Sequence, residues 1–283
     1  MRILILGGHE MAGHMLFNYL SRSTSHELFY TATGSHPKVK PERGLFWDPE
    51  DMVMVEKLIA IVRPNVIVNS SGIWYDLARQ QEIAAYRINA LLPHQLAKLA
   101  ERYGARLVQI SSDGVFEGNR GNYEEIHVPD GTSVFAKTKA LGEVKAPNVT
   151  IRVSMFGPEL GKEPVGLFEW FMRQRGIVKG FVNVAWNGVT TLELAKFICF
   201  LIEEQPKLRG IVHLAGKEMV SKYSLLEQCR IVFKKGNVQI KPNDVIDLDR
   251  TLRSTRPILY ETPTIKQMLE ELRDWINSTA NPS

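Results

Sequence analysis

Short apolar runs alternate with longer amphipathic stretches from the first residues of the chain onward. The runs RILIL (2–6), ELFYTA (27–32), NVIVN (65–69), RLVQI (106–110) and VTIRV (149–153) are apolar at successive positions, so both of their faces need cover. Between them, segments at about 11–21, 50–63, 79–103 and 132–145 carry helical periodicity. Strands of this kind separated by helices predict an α/β fold, a doubly wound (Rossmann-type) parallel sheet spanning about residues 1–155.

The second half alternates less regularly. Residues 164–176, 190–204, 222–235 and 264–277 are expected to be helical, and GIVHLAG (210–216) to be one more strand. We expect 177–218 to return to the first domain. Residues 156–176 and 219–277 then make a small α/β substrate-binding cap over the carboxyl ends of the strands, and 278–283 a frayed tail.

Composition narrows the class. Hydrophobic residues make up 44% and charged residues 23%, ordinary values for a globular protein. The net charge of +4 is spread along the chain without a Lys/Arg run, which fits a basic pocket for a phosphorylated small molecule better than a nucleic-acid surface. Cys199 and Cys229 lie in apolar stretches and are expected to be buried reduced thiols. The histidines show no ligand spacing, so no metal is expected. No stretch is long enough to span a membrane, and the apolar run at the N-terminus ends in a glycine turn too early for a signal peptide. A cytoplasmic protein without a membrane partner is the expectation, and a homodimer is compatible with it.

Candidate chemistry begins directly after the first strand, in GGHEMAGHM. Gly7 and Gly13 are spaced for a tight strand-to-helix turn whose backbone N–H groups approach a pyrophosphate at the helix N-terminus. His9, Glu10 and Met11 belong to the same turn, and Glu10 stands where a further glycine is usual. A carboxylate there must point away from phosphate, or binding weakens. After the second strand no acid appears until Glu42. Ser35, His36 and Lys38 instead suit a 2′-phosphate, which favours NADP(H) over NAD(H). Asp48 either touches the adenine amino group or caps the helix that follows.

Farther on, ISSDGVFEG (110–118) sets two hydroxyls at a strand end, and GTSVFAKTKALGE (131–143) sets Phe135 one helical turn before Lys139. Together these segments resemble the extended short-chain dehydrogenase/reductase superfamily, and more closely the dTDP-4-dehydrorhamnose reductase family. Ser111, Ser112, Asp113, Val115, Phe116 and Gly118 match that family's STDYVFDG, Tyr123 and Glu125 its YxE, and FAKTKALGE its YGKSKLxGE except at the tyrosine. The likeness continues through VNSSGI (68–73), RINALLPHQLA (87–97), IRVSMFGPE (151–159), WNGVTTLELAK (186–196) and DRTLRS (249–254), covering about 1–270.

The resemblance implies an NADP-dependent reduction of a nucleotide-linked 4-keto-6-deoxy sugar in deoxysugar and surface-polysaccharide biosynthesis. It implies catalytic roles for Ser112, for Lys139 and for the tyrosine position held here by Phe135. Cofactor contacts are expected from Asn69, Ser70, Ser71, Gly72, Asn89, Ser111 and Lys139, beside those of the glycine turn. Substrate contacts are expected from Ser112, Asp113, Trp186, Asn187, Arg250 and Arg253. An epimerase or dehydratase of the same superfamily is the neighbouring alternative.

Phe135 carries no hydroxyl, and loss of a general acid costs on the order of 10²–10⁴ in rate. Three readings compete. The change is an engineered Tyr-to-Phe substitution; or the protein is a catalytically silent NADP-binding regulatory subunit; or Tyr123, Tyr75 or His127 donates the proton instead. The retained Ser112 and Lys139 favour an enzyme over a binding module.

Overall fold

The computed structural model describes residues 1–33, 43–160 and 166–280. The predicted apolar runs form β1 (Arg2–Leu6), β2 (Glu27–Ala32), β4 (Val66–Asn69), β5 (Arg106–Ile110) and β6 (Val149–Val153), with β3 (Gly44–Phe46) between β2 and β4. The second half adds β7 (Met155–Phe156), β8 (Gly176–Phe181), β9 (Val184–Trp186), β10 (Val189–Thr190) and β11 (Gly210–Leu214). Last come β12 (Val220–Ser221), β13 (Val238–Asn243) and β14 (Leu248–Asp249).

Seven of these make one parallel sheet in the order β11-β6-β5-β4-β1-β2-β3. Alternation along β1 explains why its sequence is apolar throughout. Ile3 and Ile5 enter the core on one face of the sheet, and Leu4 and Leu6 the core on the other. Strand order reverses between β1 and β4, and doubly wound sheets open a crevice at the carboxyl ends of such a pair.

The helices are α1 (Met11–Ser23), α2 (Met52–Val62), α3 (Tyr75–Gln80), α4 (Glu82–Ala85), a π-helical segment (Tyr86–Leu91) and α5 (Leu92–Tyr103). They continue with α6 (Val134–Leu141), α7 (Leu167–Arg173), α8 (Thr191–Glu203), α9 (Lys222–Val232) and α10 (Ile265–Ala280). The helix expected over 79–103 is therefore broken and begins earlier. Gln81 leaves helical geometry, and the π-helical turn that follows sets Asn89 inward, where its amide bonds the Ile73 backbone. The helix expected over 132–145 is shorter, because Ser133 caps it and Gly142 ends it.

Three small sheets lie outside the main one: β10 with β7, β12 and β14 on either side of β9, and β13 with β8. Except for β8 and β13 their strands are only two or three residues long, too short for a period of two to be read. Cys229 is buried and Cys199 half-buried, both as free thiols. Among the described residues no helix is long and apolar enough to cross a membrane, and no group of acidic, His and Cys side chains is placed to hold a metal ion.

Candidate active site

The crevice is walled on one side by the turn after β1. Gly7 adopts φ +74°, a left-handed conformation that costs glycine little. Gly13 lies so close to this turn that a Cβ would stand 2.1 Å from the Gly7 carbonyl oxygen and 2.6 Å from Ser70 Oγ. The turn is tied from both neighbouring strands. Gly7 N donates to Thr31 Oγ1 (3.1 Å), and Ser70 Oγ donates to Leu6 O (2.6 Å). Asn69 is buried and bonds Gln109 Oε1 (2.8 Å) while accepting from Ser71 N (3.2 Å). Asn69 and Ser70 thus build the wall. Ser71 Oγ is buried and has no hydrogen-bond partner among the described residues.

Glu10 is the N-cap residue of α1, and its side chain folds back over the turn, with Cγ 3.1 Å from a Cβ built on Gly7. Burial, and then the charge of Glu159, push its carboxyl up to about 7. His9 Nε2 lies 3.4 Å from the same carboxylate. Met11, the first residue of α1, reaches toward Gly166. Asp48 does not cap α2. It accepts from Glu50 N (2.9 Å) in a local turn, and Asp51 caps the helix by accepting from Met54 N (2.8 Å). Ser35, His36 and Lys38 lie outside the described residues.

The opposite wall stands at the end of β5. Lys139 is buried on α6 and donates to Ile110 O (2.7 Å), with Nζ 3.9 Å from a Cβ built on Gly72. Burial lowers its ammonium to about 8, against the opposing pull of Glu143. Asn89 supports this corner through the Ile73 backbone and Thr138 Oγ1 (3.1 Å). Ser111 turns away from the crevice. Its hydroxyl donates to Glu143 Oε1 (2.9 Å), which forms a buried bidentate pair with Arg152, so its side chain is committed to packing behind the site.

Ser112 caps a single 3-10 turn (Asp113–Val115) by accepting from Gly114 N (3.0 Å), and its hydroxyl donates to Asp113 Oδ1 (3.1 Å). Phe135 is buried beside it. A Cβ built on Gly114 would sit 2.9 Å from the Phe135 ring edge and 3.2 Å from Ser112 Oγ. Trp74 stacks on Phe135 with ring centroids 5.5 Å apart, and Tyr75 packs on it at 4.5 Å. The Tyr75 phenol faces Ser112, Asp113 and Arg250. Of the donors proposed from sequence, Tyr123 is buried with its hydroxyl accepting from Gly118 N and Asn119 N, and His127 accepts from Glu124 N. Both are committed to their own loop.

On the cap side, Asp113 is surrounded by Lys222, Ser154, Arg250 and Ser112. Burial outweighs them and raises its carboxyl above the usual range. Lys222 opens α9, sits 4.9 Å over the Trp186 ring, and is lowered by burial to about 8. Nothing in the sequence marked it, because only the register of β12 against β9 brings it to Trp186. Trp186 Nε1 donates to Ser154 Oγ (3.0 Å). Asn187 spends both ends of its amide on the Leu252 backbone and acts as a strap. Arg250 joins the Asp113 cluster and also bonds Glu117 O (3.3 Å). Arg253 does not. Its exposed guanidinium pairs with Glu124 at 3.6 Å.

The comparisons bear on the family and the fold. A family model described as RmlD substrate binding domain matches residues 1–280. Methionine adenosyltransferase 2 subunit beta of Rattus norvegicus is 26% identical over 254 residues, covering 85% of this chain and 75% of its own length. The dTDP-4-dehydrorhamnose reductase of Mycobacterium tuberculosis (strain CDC 1551 / Oshkosh) is 26% identical over 250 residues, covering 83% and 80%. Among solved structures, dTDP-4-dehydrorhamnose reductase of Bacillus anthracis in complex with NADP aligns with a TM-score of 0.80 at 19% identity, over 97% of this chain and 99% of that one. That likeness speaks for the fold.

Proposed function

For this chain, which belongs to the RmlD substrate binding domain family, we propose an NADP(H)-dependent reduction of a nucleotide-linked 4-keto-6-deoxy sugar. One observation carries the reading: the buried Lys139 ammonium stands at the ends of β4 and β5, beside Gly72, next to the β1–β4 pair where strand order reverses. The chain's own features fit a dinucleotide. The glycine turn brings bare backbone to the N-terminus of α1, and the unpartnered Ser71 hydroxyl is buried at its edge. Gly7, Gly13 and Ser71 would hold the pyrophosphate side, and Lys139 the nicotinamide ribose. When bound, the reduced dinucleotide supplies hydride.

Ser112 donates to the ketone oxygen and so stabilises charge that develops there. Lys222 and Arg250 bring positive charge to the cap side, where a sugar nucleotide presents its diphosphate. On this reading residues 1–155, with 177–218 returning to them, hold the dinucleotide, and 156–176 with 219–277 cover the sugar.

Phe135 and the likeness to methionine adenosyltransferase 2 subunit beta favour a second reading, a regulatory subunit that binds NADP(H) without turnover. NADPH binding by fluorescence titration, followed by NADPH oxidation with nucleotide 4-keto sugars, separates the two. The first reading expects oxidation by the native chain or by Phe135→Tyr. Tight NADPH binding with no oxidation by either chain supports the second.

A further inference from the structure

We propose that Tyr75 is the proton donor of this site, serving the ketone oxygen from beside Ser112, where Phe135 has no hydroxyl to offer. The proposal rests on the reductase reading above. Its geometry starts with the backbone. Tyr75 opens α3 with φ +31°, a conformation that a bulky side chain rarely adopts and that persists only where surrounding structure holds it. The consequence of that strain is the direction of the ring. It lies against Phe135 with centroids 4.5 Å apart, and its hydroxyl points at Ser112 and Asp113.

The aromatic at position 135 therefore serves as a platform for a phenol supplied by a neighbouring helix. Trp74 stacks on the same ring and limits its movement. Tyr75 is half-exposed as a residue, while its hydroxyl is turned inward among Ser112, Asp113 and Arg250. Burial of the hydroxyl and the charge of Asp113 raise its pKa, so the phenol, protonated at neutral pH like any tyrosine, yields its proton only to an oxygen as basic as the developing alkoxide.

Hydride from a dihydronicotinamide forms the new C–H bond at the carbonyl carbon, and the C=O π pair moves to oxygen. The Tyr75 O–H bond breaks as its proton passes to that oxygen, leaving an alcohol and a phenolate. The dinucleotide is oxidised by two electrons and the ketone reduced by two. The phenolate then takes a proton from water that enters as the product leaves.

A first test needs no cofactor. In apo protein carrying ¹³C at tyrosine Cζ, the resonance lost in Tyr75→Phe is expected to titrate above ordinary tyrosine, with its midpoint lowered in Asp113→Asn. A resonance that titrates like free tyrosine and ignores Asp113→Asn overturns the proposal. The second test is turnover. Tyr75→Phe is expected to lower kcat by about 10²–10⁴ with NADPH affinity unchanged, and Tyr75→Phe with Phe135→Tyr to recover it. Unchanged kcat in Tyr75→Phe removes Tyr75 and leaves the reductase reading standing. So does activity confined to proteins that carry Phe135→Tyr. Absence of turnover in every protein overturns the reductase reading, and the role of Tyr75 with it.

Discussion

The two walls of the crevice hold their shape by different means. On the side of β1, hydrogen bonds do it: Thr31 and Ser70 tie the glycine turn to its neighbouring strands at 2.6–3.1 Å, and Asn69 fixes the end of β4 behind it through Gln109 and Ser71. On the side of β5 and α6 ring packing is added to hydrogen bonds such as that of Lys139 to Ile110 O, with Trp74, Tyr75 and Phe135 clustered beside Ser112. The first wall is pre-organised for binding and carries few polar atoms free to react. The second keeps its reactive groups at the edge of an apolar stack. On the proposed reading binding and chemistry belong to separable sets of residues, and substitutions should divide along that line.

The largest expected effect falls on the aromatic wall. Ser112→Ala removes the hydroxyl proposed to meet the ketone oxygen and should lower kcat by about 10²–10³. NADPH affinity, measured by fluorescence titration, should stay as it was. A comparable loss of affinity would mean that the two walls are one unit.

Lys139→Met crosses the line, because its ammonium is buried between the walls. A lost charged hydrogen bond of about 1.5–3 kcal/mol corresponds to roughly a 10- to 100-fold weaker NADPH affinity. Gly13→Ala acts on the other wall alone. Its new methyl would meet the Gly7 carbonyl at 2.1 Å, so the turn must shift. A loss of about 1–3 kcal/mol in chemical denaturation is expected, together with weaker cofactor binding and unchanged kcat at saturation.

The wall built by hydrogen bonds was the more legible in sequence. Its glycines and strand ends fall within one or two contiguous segments, and burial on both faces leaves a continuous apolar signature such as RILIL. The aromatic wall was legible only in part. Phe135 and Lys139 share a helical face and were readable from spacing, whereas the direction of Tyr75 depends on a backbone angle that no pattern of apolar positions encodes. Lys222 reaches the site through the pairing of two very short strands, β9 and β12. Ser111 and Asn187 show the same dependence in reverse. Their polar atoms are consumed by Glu143 and by the Leu252 backbone, partners distant in sequence. The broken helix at 79–103 shows tertiary demand overriding periodicity, since Asn89 turns inward to hold Ile73.

The smallest expected effect is the one most specific to this chain. Glu10 lies over the phosphate turn, and burial and then Glu159 raise its carboxyl to about 7. Below that pH it is neutral and leaves the helix N-terminus free to attract an anion. Above it, a carboxylate stands beside the pyrophosphate. NADPH affinity should therefore fall as pH rises from about 6 to about 8. One like charge at a few ångströms is worth at least about 1 kcal/mol in a watery surrounding, or roughly fivefold. The 2′-phosphate also ionises near pH 6 (about the range of a phosphate monoester), but it does so equally in Glu10→Gln. The difference between the two pH profiles isolates Glu10. Parallel profiles would mean that its carboxylate does not face the phosphates, and would move the restraint on cofactor binding to His9 and the backbone of the turn.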